Sequence, residues 1–129
     1  MARMRFAGVA LALALALVAG CNTRAIELSA EDDGSTQRLA VGQGLTVQLD
    51  SNPTTGYRWA LDGELPGGLE QIGEPEYVAG SDAIGAGGTE LWRFRGAAAG
   101  SAELKLKYWR SFEPTAPPEG RFSATIEIE

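Results

Sequence analysis

The chain has 129 residues, with 17 acidic against 11 basic side chains and a formal net charge of −6 at pH 7. A surface this acidic repels phosphate backbones, and no basic stripe offsets it, so nucleic acid is not an expected partner. The sequence contains no histidine, the commonest general base of enzymes, and its single cysteine, Cys21, cannot form an internal disulfide.

The first twenty residues are predicted to be an export signal. Two arginines precede an apolar run over residues 6–19, which is too short to remain as a membrane-spanning helix. The run ends in Val18-Ala19-Gly20-Cys21, which resembles a bacterial lipobox, the site at which a cysteine is lipidated and becomes the mature N-terminus. The alternative is a conventional signal cut near Gly20, which leaves Cys21 as a lone thiol.

Lipidation of Cys21 predicts a chain in three parts. Residues 1–20 are the signal, residues 21–25 are the lipidated N-terminus and a short tether, and residues 26–129 are one domain of a size that buries a core without disulfides. Loss of two arginines with the signal makes the net charge more negative by two. The mature protein is expected in the bacterial cell envelope, and Asn22 after the cysteine resembles the sorting signal for the outer membrane of a Gram-negative cell.

Alternation of apolar and polar residues dominates the chain after residue 25 and predicts short strands with one buried face. No 3.6-residue period occurs there, and turn signals recur about every 8–12 residues. The pattern predicts an all-β fold, an immunoglobulin-like antiparallel β-sandwich of about six to eight strands. The apolar positions of the predicted strands are Ile26 and Leu28; Leu39 and Val41; Leu45, Val47 and Leu49; Tyr57, Trp59 and Leu61; Leu69, Ile72 and Tyr77, with a bulge at Gly73; Trp92 and Phe94; Ala102, Leu104, Leu106 and Tyr108; and Phe122, Ala124, Ile126 and Ile128.

A stiff loop is predicted between the strand that ends near Leu49 and the one that contains Trp59. Proline fixes one backbone dihedral, glycine accepts a positive φ, and two threonines are rigid at χ1 and carry hydroxyls that can bond to nearby backbone. On this chemistry alone the loop could be an ordinary connection. Its sequence is Asn52-Pro53-Thr54-Thr55-Gly56-Tyr57.

Two further loops carry weaker signals when each is taken alone. The segment 79–88 is rich in glycine, but it precedes a strand and has no lysine nearby, so it does not fit a phosphate-binding loop. The segment 109–120 contains three prolines and an arginine followed by an aromatic residue, Arg110-Ser111-Phe112. Its aromatic side chains could simply cover the edge of the core.

The order of the three loops resembles that of the chagasin-type inhibitors of papain-like cysteine peptidases. That family is similar in carrying an Asn-Pro-Thr-Thr-Gly loop, then a Gly-x-Gly-Gly loop, then an Arg-Pro-Trp loop. The resemblance covers about residues 26–128. It implies an immunoglobulin-like sandwich whose three loops enter a peptidase cleft, reversibly and competitively, without cofactor or metal. The protein is expected to be a monomer.

The resemblance also implies a role for each loop. Thr54 and Thr55 would lie beside the catalytic cysteine and histidine of the peptidase, and the glycine loop would run backbone-first along the non-primed side. Arg110 and Phe112 would brace the other side of the cleft. The implied peptidase-binding residues are Asn52, Pro53, Thr54, Thr55, Gly56, Tyr57, Gly85, Gly87, Gly88, Arg110 and Phe112.

The third loop departs from the family pattern, because Ser111 and Phe112 stand where the family has proline and tryptophan. The departure bears on potency and on peptidase preference more than on the class of function. A structural or adhesive envelope module with the same sandwich is the alternative function. An enzyme that uses paired carboxylates is a further alternative, although the acidic residues occupy turns and outward strand positions.

Overall fold

The computed structural model describes residues 24–129, which form nine strands and two short 3-10 helices. The 3-10 helices are Ala30–Asp32 and Pro53–Thr55. Cys21 and the signal lie outside the described residues. The strands are β1 (Ile26–Leu28), β2 (Ser35–Leu39), β3 (Gly44–Ser51), β4 (Arg58–Leu61), β5 (Leu69–Gln71), β6 (Glu76–Ala79), β7 (Gly88–Gly96), β8 (Gly100–Trp109) and β9 (Gly120–Ile128).

The strands form two sheets that bury one core between them. One sheet has the order β1-β3-β7-β5, with β6 also paired to β7, and the other has the order β2-β9-β8-β4. The predicted all-β sandwich is confirmed, with nine strands rather than six to eight. Two pairs, β1 with β3 and β2 with β9, are parallel. Neither pair is joined by a hairpin: other strands intervene along the chain and supply the crossover that parallel pairing needs. Alternation in a sequence does not report strand direction.

The core consists of the apolar side chains that alternate along the long strands. Along β8 and β9 every second residue is buried, as their sequence pattern predicts. Removing each leucine, isoleucine or phenylalanine side chain among them from water contributes roughly 1.5–3 kcal/mol. The buried apolar residues are Leu28, Leu39, Leu45, Val47, Leu49, Leu69, Trp92, Phe94, Ala102, Leu104, Leu106, Phe122, Ala124, Ile126 and Ile128.

Two apolar side chains predicted to face the core are exposed instead. Val41 is 51% exposed, because β2 ends at Leu39 and the chain turns. Ile72 is 39% exposed, because the segment predicted as one bulged strand is two strands, β5 and β6, separated by a turn at Gly73 with φ 71°. Both strands pair with β7 at different places along its length.

The register of the sheets brings three loops to one end of the sandwich. Ser51 at the end of β3 and Ala79 at the end of β6 both lie opposite Gly88, the first residue of β7. In the other sheet, the start of β4 lies opposite Trp109 at the end of β8, and Tyr108 lies opposite Gly120. The loops are the first loop (52–57), the second loop (80–87) and the third loop (110–119), and the end that carries them is the loop pole.

Among residues 24–129, no helix has the length and apolar character needed to cross a bilayer. Within the same residues, no three histidine, cysteine, aspartate or glutamate side chains converge closely enough to hold a metal ion.

Candidate functional site: three loops at one pole

The first loop is shaped by its own side chains. Asn52 caps the 3-10 helix Pro53–Thr55, and its Oδ1 accepts hydrogen bonds from the Thr54 backbone N–H at 3.2 Å and the Thr54 hydroxyl at 2.6 Å. The Thr55 hydroxyl donates to the Asn52 carbonyl at 2.7 Å and lies 3.3 Å from the Tyr57 N–H. Asparagine at an N-cap followed by proline is a favourable start for a helical turn. The loop is therefore internally hydrogen-bonded and preorganised.

Gly56 ends that turn in a conformation that other residues rarely adopt. Its φ is 85°, in the left-handed region, and its N–H donates to the Pro53 carbonyl at 3.0 Å. A Cβ at this position would lie 3.0 Å from two atoms of the Phe112 ring in the third loop. Glycine is thus favoured here by the backbone conformation, and a larger residue would also have to displace the exposed Phe112 ring.

Asn52 also joins the first loop to the second. Its Nδ2 donates to the Gly85 carbonyl at 3.1 Å, while the second loop closes on itself through the Gly80 N–H and the Gly87 carbonyl at 3.0 Å. Gly88 belongs to strand β7 rather than to the loop, and a Cβ there would overlap the backbone of the neighbouring strand β6. One asparagine side chain therefore sets the position of both loops.

Arg110 joins the third loop to the first. Its Nε donates to the Thr55 carbonyl at 3.1 Å, and its guanidinium carbon lies 4.3 Å from the centre of the Tyr57 ring. Its Nη1 lies 3.2 Å from the Glu113 carboxylate. A guanidinium over an aromatic face contributes about 0.5–1 kcal/mol at an exposed site. In the free protein this side chain faces the first loop, and only a third of it is exposed.

An aromatic stack supports the first loop from beneath. The Tyr108 ring lies between those of Tyr57 and Trp59, with ring centres 5.3 Å and 5.1 Å away. The Tyr108 hydroxyl accepts the Asn52 N–H at 2.8 Å, and the Trp59 indole donates to the Asp50 carbonyl at 2.9 Å. Both ends of the loop thus contact Tyr108 on strand β8, which resists their displacement.

The phenol of Tyr57 remains neutral in this setting. Partial desolvation raises its pKa above the ordinary value, and a hydrogen bond with the Glu119 carboxylate raises it further, while the Arg110 charge acts in the opposite sense. The Tyr57 phenol therefore carries no charge at neutral pH. The ring supports Arg110 without adding an acidic group to the loop pole.

A buried glutamate ties together the two chain segments that lead into the first loop. Glu90 is 1% exposed, and its Oε2 accepts the Ser51 hydroxyl at 2.7 Å and the Trp59 N–H at 3.1 Å. Its Oε1 lies 3.4 Å from the Trp92 indole nitrogen, and Arg58 lies 3.9 Å away. Ser51 precedes the loop and Trp59 follows it. Glu90 was not among the predicted site residues; its only signal in the sequence is an acidic residue at an inward position of a strand.

The loop pole exposes two threonines on the first loop and one large apolar side chain on each of the two neighbouring loops. Thr54 and Thr55 are exposed at the tip of the first loop. Phe112 on the third loop is 68% exposed, and Ile84 on the second loop is fully exposed. Ile84 was not among the predicted site residues, because a lone apolar residue in a glycine-rich loop carries no pattern in the sequence. The pole thus presents two hydroxyls flanked by two apolar side chains.

The chain is similar to a known family and to several characterised proteins. The family model described as chagasin family peptidase inhibitor I42 matches residues 38–126. Chagasin of Trypanosoma cruzi is 34% identical over 99 residues, which cover 74% of this chain and 90% of chagasin. Amoebiasin-1 of Entamoeba histolytica is 32% identical over 94 residues, which cover 70% of this chain and 88% of amoebiasin-1.

A solved structure has the same fold. The crystal structure of the cysteine protease inhibitor EhICP2 from Entamoeba histolytica matches with a TM-score of 0.73 at 22% identity, over 82% of this chain and 96% of that chain. At this level of identity the match concerns the fold. It extends over both sheets of the sandwich.

Proposed function

This chain belongs to the chagasin family of peptidase inhibitors, and from that premise we propose that it inhibits papain-like cysteine peptidases reversibly and competitively. The family consists of inhibitors, so the chain is an inhibitor and not an enzyme. Within the proposal, the loop pole enters the active-site cleft as a wedge and presents no scissile bond to the peptidase.

One observation carries the proposal: the three loops form a single preorganised surface. Asn52 bonds to the second loop, and Arg110 bonds to the first loop from the third. Because the loops are already held in place, little conformational entropy is lost on docking. An interface of about 800 Å² on each partner, which a three-loop surface can supply, is compatible with nanomolar affinity when the loops are preorganised.

The exposed residues of the loop pole suggest which part of the contact with the peptidase each loop makes. Thr54 and Thr55 lie at the tip of the first loop, in the position to reach the catalytic residues of the peptidase. Ile84 and Phe112 flank them as apolar anchors, the type of side chain that dominates binding energy when it fills a pocket. Asn52 and Gly56 shape the wedge from within. Gly85, Gly87 and Gly88 allow the second loop to pass close to the peptidase.

The test is an inhibition assay with the soluble domain, residues 22–129. Papain and related peptidases should lose activity at nanomolar to submicromolar inhibitor and regain it on dilution, while the mass of the inhibitor stays intact. Trypsin, which has a different nucleophile and cleft, should keep its activity. No loss of activity in several papain-like peptidases at micromolar inhibitor would contradict the proposal.

Arg110→Ala is expected to weaken inhibition of papain about tenfold. The substitution removes the bond to the Thr55 carbonyl and the contact with the Tyr57 ring, each worth about 1 kcal/mol at most. If Arg110 acts by positioning the first loop, amide hydrogen exchange at residues 52–57 should also accelerate in the free variant. Arg38→Ala, at a side chain that is 84% exposed at the opposite end of the sandwich, is the matched control and should leave both quantities unchanged. Unaltered exchange with weakened inhibition would assign Arg110 to direct contact instead.

Ser111→Pro combined with Phe112→Trp is expected to tighten inhibition about tenfold. The Glu113 N–H donates to the Arg110 carbonyl at 3.0 Å, so Ser111 is the second residue of a β-turn, a position that favours proline. Restriction of the free loop contributes about 0.4–1 kcal/mol. A larger ring adds roughly 40 Å² of apolar contact, or about 1 kcal/mol. The inhibition constants of the two single variants and the double variant measure the effect. If all three equal that of the wild type, the third loop lies outside the interface.

We further propose that the mature protein is held to the cell envelope by lipid on Cys21 and acts as a monomer. The lipobox-like residues 18–21 and the position of Cys21 at the end of the apolar run support this anchor. Several acyl chains at about 0.8 kcal/mol per buried CH₂ hold a protein stably on a bilayer. Asn22 favours the outer membrane in a Gram-negative cell.

Cys21→Ala is expected to abolish lipidation and to release the protein into the soluble fraction. The domain should stay folded because its first strand begins at Ile26, after Cys21 in the chain. Mass spectrometry and membrane fractionation measure the outcome. A wild-type protein that is soluble and carries no acyl mass on Cys21 would refute the anchor, without bearing on inhibition.

A further inference from the structure

The N-terminal end of the domain lies far from the three loops. Strand β1 runs parallel to β3, with Ile26 opposite Leu45 near the start of β3, whereas the first loop follows Ser51 at the end of β3. The seven residue steps along β3 span about 23 Å at roughly 3.3 Å per step. The chain therefore enters the domain at the pole opposite to the loops, which we call the entry pole.

The entry pole holds the first described residues firmly. The Gln43 side-chain amide donates to the Arg24 carbonyl at 2.6 Å, and Gly44 packs against Ala25 so closely that a Cβ there would lie 3.4 Å from the Ala25 Cβ. Only three residue steps separate Arg24 from Cys21. Covalent geometry limits three steps to about 11 Å.

From these distances we propose that the entry pole faces the lipid bilayer and that the loop pole points into the aqueous phase. This inference rests on the proposed lipid anchor at Cys21. A reach of about 11 Å from Arg24 is less than half of the roughly 23 Å along β3, so the domain cannot stand inverted, with its loops against the membrane and its entry pole away from it. The peptidase it meets is accordingly one dissolved in that aqueous phase, and it is inhibited while the inhibitor stays anchored.

The surface of the entry pole is compatible with this orientation. Two turns there, residues 40–43 (Ala-Val-Gly-Gln) and residues 97–99 (three alanines), contain no acidic residue. The connection 62–68 also reaches this pole, because the Gly68 carbonyl accepts from the Ala97 N–H at 2.7 Å, and it carries Asp62 and Glu64. Val41 is half exposed at the tip of the first of these turns. The C-terminal Glu129 lies nearby and is paired with Arg38. The negative charge of the domain as a whole disfavours lying flat on an anionic lipid surface.

Two engineered cysteines test the orientation without any peptidase. In the lipidated protein the thiol of Cys21, the only cysteine, is blocked by lipid. A cysteine introduced by Val41→Cys at the entry pole, or by Ile84→Cys at the loop pole, is therefore the single site that a thiol-reactive fluorophore labels. In vesicles of phosphatidylethanolamine and phosphatidylglycerol with a nitroxide-labelled lipid, the probe at residue 41 should be quenched several-fold more than the probe at residue 84. Each labelled variant that also carries Cys21→Ala should show no quenching.

The outcomes separate this inference from inhibition itself. Equal quenching at the two sites, or stronger quenching at residue 84, would overturn the orientation even if the protein inhibits papain in solution. Absence of acyl mass on Cys21 would overturn both the anchor and the orientation. With the orientation correct, lipidated wild-type protein in vesicles should inhibit added papain within about threefold of the soluble domain, and papain should sediment with the vesicles.

Discussion

Glu90→Ala is expected to lower the free energy of unfolding by about 2–6 kcal/mol, because two donors lose their acceptor at about 1–3 kcal/mol each. The carboxylate is 1% exposed and accepts hydrogen bonds from Ser51, which precedes the first loop, and from Trp59, which follows it. Removing it leaves buried donors without partners and opens a cavity beneath the loop. Urea unfolding of the soluble domain measures the loss.

The matched control is Glu76→Ala, which breaks an exposed ion pair with Arg93 in the same sheet and should cost less than about 1 kcal/mol. Glu90→Gln keeps the shape and should cost less than the alanine variant, since an amide oxygen can still accept from Ser51 and Trp59. Where the alanine variant remains folded at low temperature, its inhibition of papain should also fall. The first loop then lacks the hydrogen bonds that hold Ser51 and Trp59 on its two sides. A loss of stability no larger than that of Glu76→Ala would contradict the role assigned to Glu90.

Thr54→Ala combined with Thr55→Ala is expected to weaken inhibition of papain about 100-fold, which corresponds to roughly 2.7 kcal/mol. Both side chains are exposed at the tip of the first loop. In the proposed complex this tip lies at the centre of the interface, where contact residues contribute most of the binding energy. Their hydroxyls also close the loop on Asn52, so the substitution removes part of its preorganisation. The inhibition constant for papain measures the loss of affinity.

Stability should change far less than affinity in this double variant. Neither threonine contributes to the core, and the three bonds that their hydroxyls make are solvent-exposed. The matched control is Thr36→Ala with Thr125→Ala, a cross-strand pair in the β2–β9 ladder, which should leave inhibition unchanged. An affinity that stays within twofold of the wild type would place the first loop outside the interface.

The architecture was largely predictable from the sequence because the long strands bury alternate residues. Along β3, β8 and β9 the predicted inward positions are buried, except Tyr108 near the end of β8, which is half-buried. The resemblance carried by the three loops was confirmed by the family match. Their convergence on one pole was also expected from it, and the register of the sheets places them there.

What the sequence did not predict depends on contacts between distant segments. Val41 continues the alternation of β2, yet the strand ends before it, because that end is set by the turn and not by hydrophobicity. Glu90 breaks the apolar pattern of β7, and only the positions of Ser51 and Trp59 show why a carboxylate is tolerated there. The inward orientation of Arg110 likewise depends on the Thr55 carbonyl, 55 residues away along the chain.

Binding of the soluble domain to papain with a free and with a filled cleft tests the central claim most directly. We expect a one-to-one complex with a dissociation constant on the order of nanomolar for the free enzyme. Papain whose catalytic cysteine carries a bulky peptidyl blocking group should bind at least about 100-fold more weakly, because the group occupies the space that the loops enter. Equal affinity for the two forms would place the interface outside the cleft and contradict the account.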